Sequence, residues 1–328
     1  MRGAAAAALV PLLIASQARA RDFTTQAVGT TAAEYLTVDV GARAVAMGGA
    51  YTAAANDATS LYWNPAGLAQ IPRAALTFTR ENHPGPITFD YGAYAHRLSP
   101  GGVAAAGFRL MDAGSIASTD IDGNSLGSMH PRSYTWEAGY GQQLLEMSDG
   151  EAEMTMGTVA RYSHADMVSH GDIFCGDLGV QMRHGTALLP WRFGAVVQNI
   201  GVGPKYDATR DRLPLRGRLG MALEPTRFWL FTLDATLPVD DQASLSAGGE
   251  VTLEAQENLQ AFLRGGVDTF AIAQHNSGLR GISFGVGIRA FGLMFDYAFA
   301  PLGLLGDTHL FSVTWNLSHL GSRRYRER

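Results

Sequence analysis

A chain of 328 residues with 39 glycines, 46% hydrophobic and 17% charged side chains is too rich in glycine for long amphipathic helices, where each Gly costs about 1 kcal/mol relative to Ala. Its formal net charge of −5 argues against a nucleic-acid partner, and its single cysteine, Cys175, excludes an internal disulfide framework. No run of eighteen apolar residues occurs, so any membrane crossing is made by strands and not by helices.

The first elements in chain order belong to export. Arg2 supplies a short basic region, Gly3 to Ala15 an apolar stretch interrupted by Pro11, and Ala18-Arg19-Ala20 an A-x-A cleavage site, the three parts of a secretory signal peptide. The apolar stretch is shorter than the ~20 residues that cross a bilayer as a helix. Residues 1–20 are therefore expected to be removed, leaving a mature chain that starts at Arg21. Loss of Arg2 and Arg19 takes the net charge from −5 to −7.

Residues 21–72 do not alternate as a transmembrane strand does. Gly41 to Ala58 is small, alanine-rich and locally helical in propensity, and Leu61-Tyr62-Trp63-Asn64-Pro65-Ala66-Gly67-Leu68 follows as a turn. Side chains this small allow close backbone approach, so the segment is expected to act as a hatch inside a barrel. Gly41, Gly48 and Gly49 serve that approach, while Asn64, Pro65 and Gly67 fix the turn. Arg43 and Asp57 are candidate pins, since charge pairs gain strength in a partly desolvated lumen; the bland alternative is a solvated pair of little worth.

From about residue 73 the chain breaks into stretches with apolar side chains at every second position, separated by Gly, Pro, Asp and Asn. Strands are predicted at 74–80, 87–97, 103–112, 133–143, 154–164, 174–184, 191–199, 215–224, 228–236, 244–253, 259–267, 282–290, 292–299 and 309–317. These make an even number, as a bacterial single-chain barrel requires. The fold class is thus all-β: a closed antiparallel transmembrane barrel over 73–317, followed by a basic tail at 318–328. Tyr134, Trp136, Ala138 and Tyr140 share one face of their strand, and Thr135, Glu137, Gly139 and Gly141 the other. Glu137, Arg161, Asp177, Arg183, Arg192, Arg218, Glu250, Arg264, Arg289 and Asp296 all fall on the less apolar face, as a wet lumen demands. A soluble sandwich or small barrel, with the apolar face as its core, shares this alternation. Connections at Ala113–Arg132, Gly201–Pro214 and Asp268–Gly281 are long enough to be surface loops.

Chemistry-bearing motifs are weak. Gly281-Ile282-Ser283-Phe284-Gly285 matches G-x-S-x-G, but a nucleophile elbow needs a strand, a sharp turn and a helix, and here a strand runs straight through. The nine histidines form no H-E-x-x-H pair, and Cys175 has no C-x-x-C partner. His164 and His170 flank a turn and carry no ligand pattern. A non-enzymatic protein with no metal or other cofactor is expected.

The stretch G-A-R-A-x-x-M-G-G-A from Gly41, followed by Asn56-Asp57-Ala58 and then L-Y-W-N-P-A-G-L from Leu61 to Leu68, resembles the opening signature of the PorV/PorQ family. That family is similar to the FadL-type channels, which share the N-P-A-G element. Gln198-Asn199-Ile200-Gly201 and the carboxyl-terminal Asp296 to Gly303 and Gly306 to His309 resemble it as well; the tail Arg323 to Arg328 departs from it. The resemblance implies a fourteen-stranded barrel of the outer membrane of a Gram-negative-type bacterium, in contact with its lipid and carrying an amino-terminal hatch. It also implies two jobs: passage of hydrophobic small molecules, or assistance to type IX-like protein secretion with cargo and secretion-system proteins as partners.

Overall fold

The computed structural model describes residues 27–146, 152–166, 170–185, 189–206, 209–256, 258–269, 281–302 and 306–317. The expected signal peptide and basic tail lie outside these residues, as does most of the loop expected at 268–281. Fourteen strands close into one antiparallel barrel in which each pairs with its neighbours in sequence and the last pairs with the first. In chain order they are β1 Ala74–Asn82, β2 Thr88–Ser99, β3 Gly102–Asp112, β4 Arg132–Glu146, β5 Ala152–Asp166, β6 His170–His184 and β7 Trp191–Val202, then β8 Arg216–Thr226, β9 Trp229–Pro238, β10 Ser244–Gln256, β11 Leu259–Asp268, β12 Ile282–Ala290, β13 Leu293–Pro301 and β14 Asp307–Asn316. All fourteen expected strands are present, displaced by a few residues at their ends, where local pattern says least about pairing.

The burial pattern decides between the two solvents that alternation leaves open. Leu76, Phe78, Trp136, Phe231, Leu233, Leu263, Phe284, Val286, Ile288 and Phe311 are all exposed, whereas Glu137, Arg161, Asp177, Arg218, Asp234, Glu250, Arg264 and Asp296 are buried. A soluble barrel would show the reverse. A continuous apolar exterior of this extent on a polar interior is the surface of a protein whose outer solvent is lipid. Aromatic rings mark its two edges. Phe108, Trp136, Tyr162 and Phe174 form a chain of contacts at 5.6, 5.6 and 4.9 Å across β3 to β6. Towards the opposite edge lie Tyr94 and Tyr140 on the outer surface, with Trp191, Trp229 and Trp315 at or next to strand termini.

The three long connections share one end of the barrel. At the other end lie 100–101, 227–228, 257–258 and 291–292, with 147–151 and 185–190 somewhat longer; the first end holds 113–131, 203–215 and 269–281 together with the shorter 83–87, 167–169, 239–243 and 302–306. The longest carries its own hairpin, Ile116–Thr119 paired with Ser125–Met129, and the second a two-residue ladder, Lys205–Tyr206 with Thr209–Arg210. His164 faces Asp172 across the β5–β6 pair at 2.8 Å, and Cys175 is a buried apolar side chain.

Replacing Leu233, outward-facing near the middle of β9, by Arg is expected to lower folding stability in lipid vesicles by about 2–4 kcal/mol. Urea titration of the refolded protein measures it, and an unchanged midpoint would mean that this face does not meet hydrocarbon.

Candidate functional site

The interior is occupied by the amino-terminal segment. It contains two short helices, α1 Ala42–Ala46 and α2 Ser60–Trp63, with 3-10 turns at Glu34–Thr37 and Pro65–Gln70. Helices this short are not stable by themselves; what fixes them is the wall. Inward positions on nine strands are glycines against which the segment packs with no room for a side chain. A Cβ at Gly157 would lie 2.2 Å from Pro65, at Gly179 2.1 Å from Asn64, at Gly194 2.5 Å from Thr52, at Gly248 2.4 Å from Met47, and at Gly266 2.1 Å from Gly48. Gly107, Gly139, Gly220 and Gly285 extend the belt onto β3, β4, β8 and β12.

β9 brings a charge instead. Asp234 accepts hydrogen bonds from the amides of Tyr51 and Thr52 at 3.1 and 2.9 Å.

Sequence reading singled out eight residues in this segment. Gly41 precedes α1 at φ +86°, and Gly48 and Gly49 are consecutive left-handed residues at +67° and +72°. That conformation costs other residues roughly 1–2 kcal/mol. Gly67 packs on the Ala55 carbonyl, which a Cβ would meet at 2.2 Å. Asn64 does more than start a turn: its Oδ1 accepts from the Ala66 amide at 3.1 Å, and its Nδ2 donates to the carbonyls of Thr52 and Val180 at 3.0 and 3.1 Å. It thereby ties the turn, with Pro65 at its first position, to β6.

Arg43 and Asp57 are not an ion pair with each other. Arg43 donates two hydrogen bonds of 2.8 Å to Glu250, and Asp57 is reached through the Tyr51 hydroxyl, which receives one from Arg43 at 3.0 Å and donates to Asp57 at 2.9 Å. Asp57 also caps the Thr59 amide at 2.8 Å. Glu250 takes a further bond of 2.6 Å from Arg264, whose other nitrogen binds Asp296 at 2.6 Å. The inward charges were recognisable from alternation; that Glu250 reaches Arg43, 207 residues away along the chain, was not.

A second buried group holds the rest of the segment. Arg161 bridges Glu137 and Asp177 at 2.8 and 2.6 Å and donates to the Leu61 carbonyl at 3.0 Å. Arg109 reaches the carbonyls of Tyr35, Leu36 and Val38, and Arg216 donates to Gln198, to the Tyr62 hydroxyl and to the Thr37 carbonyl. Arg218 binds the Gly49 carbonyl and lies 4.6 Å from the Trp63 ring. Ser283, the serine of G-x-S-x-G, accepts from the Gly48 amide at 3.0 Å. It is a wall contact at the second residue of β12.

The segment leaves two cavities, one at each end. Towards the short connections lies a polar one of about 680 Å³, lined by Arg43, Arg97, Arg183, Arg192, Glu250 and Arg289 among others. Towards the long connections lies one of about 700 Å³ between the segment and the wall, whose apolar lining includes Val28, Val38, Val45, Pro214, Ile282 and Leu302. A third, of about 220 Å³, sits beside a bulge in β7. Asn199 there adopts φ +61°, its amide donating to Asp177 at 2.9 Å and its side chain to the Pro214 carbonyl at 2.9 Å. Gln198 is the last β7 residue that pairs with β8. β7 runs on from there without that neighbour.

At the mouth of the 700 Å³ cavity, the Thr31 hydroxyl lies within hydrogen-bond distance of the Glu34 and Asp240 carboxyls, 2.6 Å from the latter, with one proton to give to either. Partial enclosure at the cavity mouth together with the facing Asp240 carboxyl pushes the pKa of Glu34, which keeps contact with solvent, up to about 7, against the opposing pull of the Thr31 hydrogen bond and Arg216.

The uncharacterised protein family UPF0164 matches residues 10–115, a span that takes in Gly41 to Leu68 and the first strands. No curated protein matches the chain. Solved structures with the same fold include the Ralstonia pickettii toluene transporter TbuX, at TM-score 0.55 and 11% identity, covering 84% of this chain and 98% of that one. The monoaromatic hydrocarbon channel CymD aligns at TM-score 0.54 and 10% identity over 85% and 97%. The Pseudomonas putida toluene transporter TodX aligns at 0.52 and 11% over 84% and 96%. At such identity the likeness is one of fold.

Two outcomes test the anchoring. Glu250→Gln leaves Arg43 and Arg264 short of a carboxylate in the interior and is expected to destabilise by about 3 kcal/mol, whereas Glu153→Gln, opposite the half-exposed Arg183, should change less than about 1 kcal/mol; urea midpoints compare them. Because the folded pKa of Glu34 lies above that of a free carboxyl, its contribution is complete below about pH 4.5 and is lost as pH rises through about 7. Proteolysis of the 27–37 region should therefore quicken between pH 5.5 and 8, and Glu34→Gln should flatten that dependence.

Proposed function

We propose that the protein is a non-enzymatic channel of the bacterial outer membrane that admits hydrophobic small molecules, exported by cleavage after Ala20, with residues 21–72 as its hatch. The observation that carries this reading is the 700 Å³ cavity at the long-connection end, set between the segment and the barrel wall, where Val28, Val38, Val45, Pro214, Ile282 and Leu302 offer apolar surface beside a set of polar and charged side chains. Pockets that hold small molecules are of this size. Long loops belong to the external face and short turns to the periplasmic one, so this cavity opens outward. The bulge at Asn199, where β7 outruns β8, offers a sideways route through the wall. The three neighbours reported above are channels or transporters for toluene or monoaromatic hydrocarbons by their own descriptions, which fits the same reading.

A secretion role of the PorV/PorQ kind is the second reading. Its support is the loop hairpin Ile116–Thr119 with Ser125–Met129, which presents Ile121 and Leu126 to solvent as a docking loop would.

Mass spectrometry of detergent-extracted protein from the outer membrane separates the two. A bound lipophile without stoichiometric partners is the expected result, together with faster uptake of a hydrophobic probe by expressing cells. Stoichiometric protein partners and no change in uptake would transfer the protein to the secretion reading.

A further inference from the structure

The cavity towards the long connections is lined by more carboxyls than cations. Glu34, Asp39, Glu81, Asp240, Asp241 and Asp268 face two guanidiniums, Arg216 and Arg218, and the His83 imidazole. Those three are already engaged. Arg216 donates to Gln198, the Tyr62 hydroxyl and the Thr37 carbonyl. Arg218 holds the Gly49 carbonyl and Asp234, with Asp39 at 3.9 Å, and His83 lies 2.6 Å from Glu81.

The surplus of negative charge is concentrated where Glu34 meets the connection 239–243. Glu34 and Asp240 compete for the single proton of the Thr31 hydroxyl, and Asp241 accepts from the Gln242 amide. Among the described residues, none of these three carboxyls forms an ion pair with a guanidinium. Two carboxyls that share one hydroxyl repel each other once both are ionised, and a cation from outside the chain relieves that repulsion. The raised pKa of Glu34, due first to partial enclosure and then to Asp240, agrees with this unmet demand.

A separate flank gives an independent sign of a ligand. Thr308, on the inward face of β14 with Ser312 and Thr314, lines the same cavity at 2% exposure, and its hydroxyl oxygen has no hydrogen-bond partner among the described residues. Buried hydroxyls are rarely left unpaired, because the bonds they made to water are then lost with nothing in exchange. Thr308 is thus set to bond a polar group that enters from outside. A metal ion does not match the layout: among the described residues, no three His, Cys, Asp or Glu side chains stand close enough to share one. An organic cation does match it. Its charged head stays partly in water beside the exposed Glu34, while its carbon body covers apolar lining, as amphipathic side chains do at protein surfaces.

We infer that the substrate of this cavity is a lipophilic cation, an amine whose ammonium sits among Glu34, Asp240 and Asp241 and whose apolar body lies on the lining that includes Val38, Val45 and Ile282. The Thr308 hydroxyl is left to bond any neutral polar group that the body carries. This takes the channel reading as its premise and narrows it to a substrate class; it concerns the one cavity alone.

The test uses the full chain, purified in detergent and also displayed in the outer membrane of a Gram-negative host, with three fluorescent naphthalenes: naphthylmethylammonium, naphthylmethanol and naphthoate. Fluorescence titration of the purified protein should show the ammonium bound about tenfold more tightly than the alcohol, with naphthoate weakest. Tenfold lies between what one charge pair at contact gains in bulk water and what it gains near a protein surface. Glu34→Gln combined with Asp240→Asn and Asp241→Asn should bring the affinities of that variant for the ammonium and the alcohol together. Asp241→Lys, a single change in a connection, should move the preference towards naphthoate and keeps the outcome independent of how well the triple variant folds. Equal affinities for the ammonium and the alcohol in the unmodified protein, or an undiminished preference for the ammonium in both variants, would overturn the cation assignment; faster uptake of the alcohol by displaying cells than by empty-vector cells would then leave the channel standing. Tight ammonium binding with none of the three taken up faster than by empty-vector cells would instead remove the channel reading, and with it the cation as a transported substrate.

Discussion

Everything inside this barrel depends on the absence of Cβ atoms from its wall. Nine strands turn a glycine towards the amino-terminal segment, and at Gly157, Gly179 and Gly266 the separation left for a side chain is 2.1 to 2.2 Å, well inside van der Waals contact. The segment answers with its own small residues, so that two backbones meet and the space between them closes. Glycine in a strand is unfavourable by itself. Here that penalty is offset by a close-packed interior that no larger side chain would allow.

Close backbone contact raises a second demand, because a segment with helices of four and five residues exposes many carbonyls and amides that no regular ladder satisfies. The arginines answer it. Arg109, Arg161, Arg216 and Arg218 each spend donors on carbonyls of the segment while a carboxylate, a side-chain amide or an aromatic face holds the same guanidinium in place. Five donors spread over three nitrogens in a rigid fork suit that double task, whereas the three donors of a lysine ammonium sit on one nitrogen and cannot span separated partners in fixed directions. The lone lysine of the sequence, Lys205, is compatible with a lumen whose cations are multidentate.

Function follows from where the segment stops filling the barrel. It leaves one cavity towards the long connections and a polar one towards the short connections. Arg43, Glu250 and Arg264 hold the segment, while Arg289 lines the second cavity and Asp240 and Asp241 line the first from the connection 239–243. The Asn199 bulge joins these two aspects, since the same Gln198 that helps Arg216 grip Tyr62 is the last residue of β7 to pair with β8.

How much of this was legible in the sequence follows the range of the interactions involved. Period-two alternation is local, so the fourteen strands, the inward set that includes Glu137, Arg161 and Glu250, and the special nature of Gly41 to Leu68 could all be read from the chain. Alternation alone left the solvent of each face open. Only barrel closure settled it, by placing Phe231 and Leu233 outside and Asp234 within. The expected tie between Arg43 and Asp57 followed nearness in sequence, whereas the fold gave Arg43 a carboxylate from β10 and left Asp57 to Tyr51. Partners on different strands have no local signature, because their distance is set by the circumference of the barrel and the path of the segment within it. For the same reason the two cavities, each lined from the amino-terminal segment and several separate strands, exist only in the folded chain.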